Sequence, residues 1–266
     1  MGTEVVAETL RERRRSLAWW ALGLIGLVGL TVAFYPSVKD SSGLSDYARD
    51  LPESIRGLFV GGEIDITSGA GYLNSQVFAV LAPLLLLIFA IGAGGAAVAG
   101  EEERGTLDLL LAHPLRRTDF VLQRFAAMSV LVIALTTVLL VTVALTSALV
   151  DLEIGFGDLV AACGSNALLA LLFGTVALAT GAIWPGRGRA IALATALAVA
   201  AWMLDGLGQA VDWLDPLRPV SPFYQAIGTD PLRDGVPWAS WALLLGLSAA
   251  LVGAAMQGLE RRDLRQ

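Results

Sequence analysis

The sequence predicts an all-α, polytopic membrane protein with six transmembrane helices and both termini in the cytoplasm. Three observations predict it: the composition, six long apolar blocks, and an uneven distribution of Lys and Arg among the loops. Hydrophobic residues make up 56% of the 266, charged residues 16%, and the mean hydropathy is +0.68. That balance is too apolar for an ordinary soluble domain.

The blocks are Leu17–Phe34, Val77–Ala99, Phe125–Val150, Leu159–Trp184, Ala190–Val211 and Trp238–Leu259. A helix of roughly 20 residues crosses the ~30 Å hydrocarbon layer. Five blocks contain no Asp, Glu, Lys, Arg or His; in the fifth along the chain, Asp205 interrupts, so that span ends near Asp205 or tilts past it. Arg11–Arg15 before the first block would suit a secretory signal. The apolar stretch is longer than a signal core and Tyr35–Pro36 follows it in place of a small-residue cleavage site, so it reads as an uncleaved anchor.

Orientation follows from the loop cations. A cytoplasmic N-terminus places 13 Lys and Arg inside and 5 outside, the outer five being Lys39, Arg49, Arg56, Arg218 and Arg233. Acidic residues divide 10 inside and 14 outside, leaving the inner face near +3 and the outer near −9. The expected location is the cell membrane.

The loops carry patterns of their own. In the outer loop 35–76, Leu44, Tyr47, Leu51, Ile55 and Leu58 recur at three- and four-residue spacing, which predicts an amphipathic interfacial helix over Leu44–Phe59. Five prolines between Pro216 and Pro237 favour a folded external loop at 212–237, with a solvated linker as the other reading. The charged N-terminal segment 1–16 is an interfacial helix or a frayed tail. Gly92/Ala96, Gly95/Ala99 and Gly246/Ala250 permit close helix contact, either within the subunit or at a dimer seam.

Catalytic chemistry finds little support. Lys39, the one lysine, lacks the glycine-rich frame of a P-loop. His113 and Cys163 are single and some 50 residues apart, so no four-ligand zinc set is apparent. Gly164–Ser165–Asn166 is not a GxSxG elbow. Asn166, Gln76, Thr175, Thr180, Ser129, Thr136 and Thr137 give only neutral polarity, expected to serve helix-to-helix hydrogen bonds. Without intramembrane charges to carry a coupling ion, transport energy would have to come from a partner.

The informative segment is Gly100–Arg117, GEEERGTLDLLLAHPLRR, in an inner loop. Leu107, Leu110, Leu111 and Leu115 share helical spacing, Pro114 would end a short helix, and Glu101–Glu103 suit its positive end. A plain interfacial turn fits the periodicity equally well. The segment resembles the signature of type 2 (ABC-2 type) ABC transporter permeases at Glu101, Glu103, Gly105, Thr106, Leu107, Leu110, Leu111, Pro114 and Arg117, with Glu102 and Arg104 between them. Leu51–Pro–Glu, Gly71–Tyr–Leu–Asn74, Ala82–Gly92 and Ser221–Pro–Phe–Tyr224 extend the resemblance over most of the chain. Gln123–Arg124 stands where the family often has Gly-Lys.

The resemblance implies a single permease domain over 1–266 whose segment 100–118 is a coupling helix region for an ATPase. It further implies two copies of an ABC ATP-binding subunit carrying ATP and Mg, a second permease copy or homologue, contact with membrane lipid and no nucleic acid. The chain itself is expected to hold no cofactor and to be no enzyme. Its expected function is the membrane-spanning subunit of an ABC exporter. A stand-alone carrier or channel, or a membrane scaffold for assembling another enzyme, are the alternatives.

Overall fold

The computed structural model describes residues 4–35, 69–103, 105, 116–150 and 154–261. Among them all regular structure is helical, and six helices are long and apolar enough to span a membrane. In chain order the helical elements are α1 (Glu4–Ala33), α2 (Gly69–Leu73), a π-helical stretch (Asn74–Leu81), α3 (Ala82–Ala97), α4 (Ala99–Glu103), α5 (Arg117–Leu149), α6 (Phe156–Ile183), α7 (Arg187–Gly208), a 3-10 stretch (Asp215–Val220), a second π-helical stretch (Tyr224–Gly228), α8 (Pro231–Asp234) and α9 (Trp238–Arg261). The second span runs without a break from Gly71 to Ala97. The predicted helix Leu44–Phe59 lies outside the described residues.

Two local departures have sequence causes. The helix that carries the first span begins before Leu17, so the N-terminal segment is helical and leads into the span: α1 is one helix from Glu4, with no Pro or Gly in it before Gly23 and many Ala, Leu, Glu and Arg to sustain it. The π-helical stretch precedes Pro83, which has no N–H and whose ring would crowd the carbonyl four residues back; the wider turn relieves that contact.

α6 is the hub, packed against α3, α9, α7 and α5, while α1 leans mainly on α5. Leu24, Val28 and Val32 of α1 and Leu131, Leu135, Leu139 and Val143 of α5 are buried rows at four-residue spacing in one core cluster. α3 and α6 meet closely because both are glycine there: a Cβ on Gly94 would run into the Gly174 carbonyl oxygen. Gly95 receives the Ile191 side chain, so this member of the small pairs packs within the subunit. Gly92 and Gly246 have open space at the Cβ position.

Lipid-facing surfaces are apolar, with exposed Leu22, Leu30, Ile133, Leu145 and Leu197. Exposed Trp19 and Trp184 lie toward the arginine-rich end of the bundle, and exposed Trp213 and Trp238 lie at the opposite end. These positions suit the two aromatic belts of a membrane protein.

The segment between α7 and α9 is not a solvated linker. Phe223, Ala226 and Ile227 enter the core cluster of Leu87, Leu169 and Phe173, with the Phe173 and Phe223 rings 6.1 Å apart. Ser221 donates to the Ala201 carbonyl at 2.8 Å. Asp205 lies in the last turns of α7 beside Arg218, at 3.4 Å, and Arg218 also covers the Tyr224 ring at 5.2 Å. A charge near the membrane boundary is thereby paired.

The span hydroxyls mostly do not bridge helices as expected. Ser129, Thr137, Thr175 and Thr180 each donate to the carbonyl four residues back in their own helix, at 2.7–2.9 Å, as does Asn166 to Ala162 at 3.1 Å. That carbonyl is always within reach, whereas an acceptor on a neighbour requires register. Trp241 donating to Ser165 at 2.8 Å is an interhelical exception.

Candidate functional site

At Val98 the backbone leaves the α3 helix, with φ −117 and ψ −59, and the five-residue α4 sets Glu101–Glu103 at three different partners. Glu101 turns inward. Its carboxylate lies 3.1 Å from Nη2 of Arg124 on α5, and both side chains are 9% exposed. Arg124 also donates from Nη1 to the Thr9 hydroxyl of α1 at 2.9 Å, and its guanidinium sits 5.2 Å from the Phe120 ring centre. Opposite charge, a hydroxyl and an aromatic face together offset the cost of removing two ions from water. A polar cavity of about 250 Å³ adjoins the pair, reached by Glu12 and Arg13 and floored by Met128 and Leu131.

Glu103 faces outward and accepts the backbone N–H of Arg187, the first residue of α7, at 2.8 Å. It is a cap supplied from another helix, a carboxylate set against the positive end of the α7 dipole. Between these two, the Glu102 carbonyl accepts the N–H of Gly105 at 2.9 Å. Gly105 has φ +67, a conformation that a side chain would strain, which accounts for glycine at the turn.

Arg117 opens α5 at the far side of the loop. Its Nη1 donates to the Leu259 carbonyl at 3.0 Å and the Glu260 carbonyl at 3.5 Å, at the C-terminal end of α9. A cation there meets free carbonyls and the negative end of the dipole. Arg104, Thr106, Leu107, Leu110, Leu111 and Pro114 lie outside the described residues.

The flanks of the 104–116 segment are therefore fastened to four other helices: α1 through Thr9, α5 through Arg124, α7 through Arg187 and α9 through its last carbonyls. Thr9, Arg124 and Arg187 were not among the predicted site residues. Arg124 carries a readable signal, since it lies seven residues after Arg117, on the same helix face, just where α5 turns apolar.

The sequence model of the family described as "ABC-2 family transporter protein" matches residues 4–264. The chain belongs to the ABC-2 transporter family. No curated protein matches it. As an ABC-2 family member it is a multi-pass permease subunit, of a kind that associates with an ABC ATP-binding subunit and is generally not itself catalytic. Among the described residues of this permease, no three His, Cys, Asp or Glu come together as a metal site.

Proposed function

We propose that this permease is the membrane-spanning part of an ATP-driven exporter and that a separate ABC subunit, holding ATP and Mg, pushes on Glu101–Arg117. The observation that carries the reading is the fastening of that segment's flanks to α1, α5, α7 and α9. A force applied between Gly105 and Arg116 reaches five of the six spans, counting the second, from which α4 emerges. The arginine-rich end is then cytoplasmic, as the loop cations require, and the chain sits in the cell membrane.

The permease pairs with a second copy through α7, and two ATPase subunits serve the pair. The span of α7 is 22% buried against 72% for α6, which leaves a large open face, as on α1 at 17% and α9 at 28%; what favours α7 is its row of small residues. Ala192, Ala196 and Ala200 are exposed on that face at four-residue spacing.

The test is co-expression with an ABC ATP-binding subunit, followed by purification and ATPase measurement in nanodiscs. Leu110→Glu with Leu111→Glu should abolish the complex, while Gly246→Leu, into open space on α9 and thirteen residues before the Leu259 carbonyl that Arg117 contacts, should leave it intact. An unaltered complex with unaltered ATPase in the double variant, or flux in liposomes without any ATPase, overturns the role assigned to the segment.

A further inference from the structure

The flank of α1 that faces α3 carries two hollows. α1 leans on α5 and reaches α3 through the Trp20 and Phe89 rings, which meet edge-on with centroids 5.9 Å apart. On the arginine-rich side of that contact α3 offers the short side chains of Ala93, Ala96 and Ala97, and the space they leave is the polar cavity beside Glu101 and Arg124. On the other side, Gly23 has nothing within 4 Å of its Cβ position, and an apolar recess opens among Trp19, Leu24, Leu27 and Leu85.

Both hollows follow one line along α1. Thr9, Glu12, Arg13 and Ser16 line the cavity, and Trp19, Trp20, Gly23 and Leu27 continue it into the recess in steps of three and four residues, the spacing of one helix flank. Ser16 and Trp19 are within a single turn. The line is open on its outer side, where Glu12, Ser16, Trp19, Gly23 and Leu27 are exposed.

Depth says what adjoins it. Trp19 lies in the aromatic belt of the arginine-rich end, where hydrocarbon gives way to headgroups. At ~1.5 Å per residue, Ser16, Arg13 and Glu12 follow at about 5, 9 and 11 Å further out along the helix. The headgroup layer is roughly 5–8 Å deep on each side of the hydrocarbon. Moving outward, the crevice therefore presents an apolar recess, then a hydroxyl and a guanidinium, then a carboxylate at the outer edge. Among the described residues no cation pairs with Glu12. A phospholipid with a primary amine has the complementary groups in the same order: acyl chain, phosphate, ammonium.

We propose that this crevice is a binding site for one aminophospholipid of the leaflet at the arginine-rich end. The Ser16 hydroxyl and Arg13 guanidinium donate to its phosphate, the Glu12 carboxylate accepts from its ammonium, and one acyl chain lies over Gly23 in the recess. The Glu101–Arg124 pair, held by Thr9, forms the back of the cavity. The site uses no residue of α7 and does not depend on an ATPase docking at Glu101–Arg117.

The experiment uses the full chain, delipidated in detergent and offered equal amounts of phosphatidylethanolamine, phosphatidylcholine and phosphatidylglycerol with identical chains, with bound lipid read by native mass spectrometry. Phosphatidylethanolamine should be retained at least about tenfold over either competitor, the factor that ~1.4 kcal/mol represents. Phosphatidylcholine has the charge without the N–H donors, and phosphatidylglycerol lacks the cation. Glu12→Gln should bring phosphatidylethanolamine down to the phosphatidylcholine level. Gly23→Leu, which fills the recess, should reduce retention of all three lipids, and Gly246→Leu, an equally open glycine on α9, should change nothing. Thermal unfolding midpoints within error of wild type show that the variants are folded. Equal retention of the three headgroups, a preference undiminished in folded Glu12→Gln, or a change of oligomeric state in place of lost lipid in Gly23→Leu overturns the site.

Discussion

Removing the carboxylate of Glu101 gives a sharp test of the buried pair. Glu101→Gln leaves the Arg124 guanidinium in a site where both side chains were 9% exposed and 3.1 Å apart. Stranding one member of such a pair typically costs 3–5 kcal/mol. The Thr9 hydroxyl and the Phe120 ring stay with Arg124, which places the loss at the lower end, about 3 kcal/mol, or more than a hundredfold in the unfolding equilibrium. Replacing both partners by apolar residues of similar volume, Glu101→Leu with Arg124→Met, should return stability to within about 1 kcal/mol of wild type, because no buried ion remains. The assay is reversible unfolding in detergent micelles, followed by tryptophan fluorescence, as a double-mutant cycle. Glu12→Gln, an exposed change beside the same cavity, is the control and should stay within about 0.5 kcal/mol. Additive single effects, or a loss below about 1 kcal/mol in Glu101→Gln, would refute the claim that the pair holds α4 to α5.

Two further perturbations probe packing and charge elsewhere. Gly94→Ala should destabilise by about 1–3 kcal/mol or more, because the obstacle is the Gly174 backbone, which cannot rotate away; Gly92→Ala, into open space, should be neutral in the same unfolding assay. Asp230 holds φ +44, accepts a hydrogen bond from Asn74 at 3.1 Å and faces Arg233 at 3.6 Å. Burial raises its carboxyl above the ordinary 3.8, outweighing the lowering by Arg233, and Asp234 adds repulsion. A folded-state pKa raised this way gives stability that is full below about pH 3.8 and lost as pH rises through the folded value. Asp230→Asn should therefore remove that pH dependence and match or exceed wild type at neutral pH, since Asn tolerates the left-handed conformation, whereas Asp230→Ala should cost about 1 kcal/mol. Unfolding midpoints between pH 4 and 7.5 decide it, and an unchanged pH profile in Asp230→Asn counts against the assignment.

Membrane insertion was legible because it depends on one-dimensional quantities, the length and polarity of a run. All six predicted spans appear, the last three within three residues of their expected bounds and the first three in helices that begin earlier than expected. What the sequence could not supply were relations between distant residues. Nothing local to Glu103 says that it caps a helix starting at Arg187, and nothing local to Phe223 says that a proline-rich loop turns back into the bundle. The glycines show the same limit: Gly92, Gly94 and Gly95 are neighbours, yet one faces open space, one a backbone and one an isoleucine side chain. Pattern locates small residues, and only the packing partner decides what smallness does. The family resemblance was carried by Gly100–Arg117, and the structure adds the supports of that segment, Glu101, Glu103 and Arg117 set against neighbouring helices.

Those supports differ in strength, and the difference predicts how the segment would move its surroundings. The Glu101–Arg124–Thr9 contact is buried, so its hydrogen bonds act in a low dielectric and separating them leaves each buried ion without its partner. The Glu103 contact to the Arg187 N–H is exposed, and water can replace it at a cost of about 1 kcal/mol. Under load the weaker contact yields first: α4 should carry α5 and α1 with it and slip against the start of α7. Amide hydrogen exchange on the assembled complex distinguishes the contacts, because the Arg187 N–H is itself the donor to Glu103. Adding a nonhydrolysable ATP analogue should accelerate exchange at Arg187 while leaving the amides around Arg124 protected; loss of protection at Arg124 with none at Arg187 would mean that the buried pair is the hinge and the exposed cap the anchor.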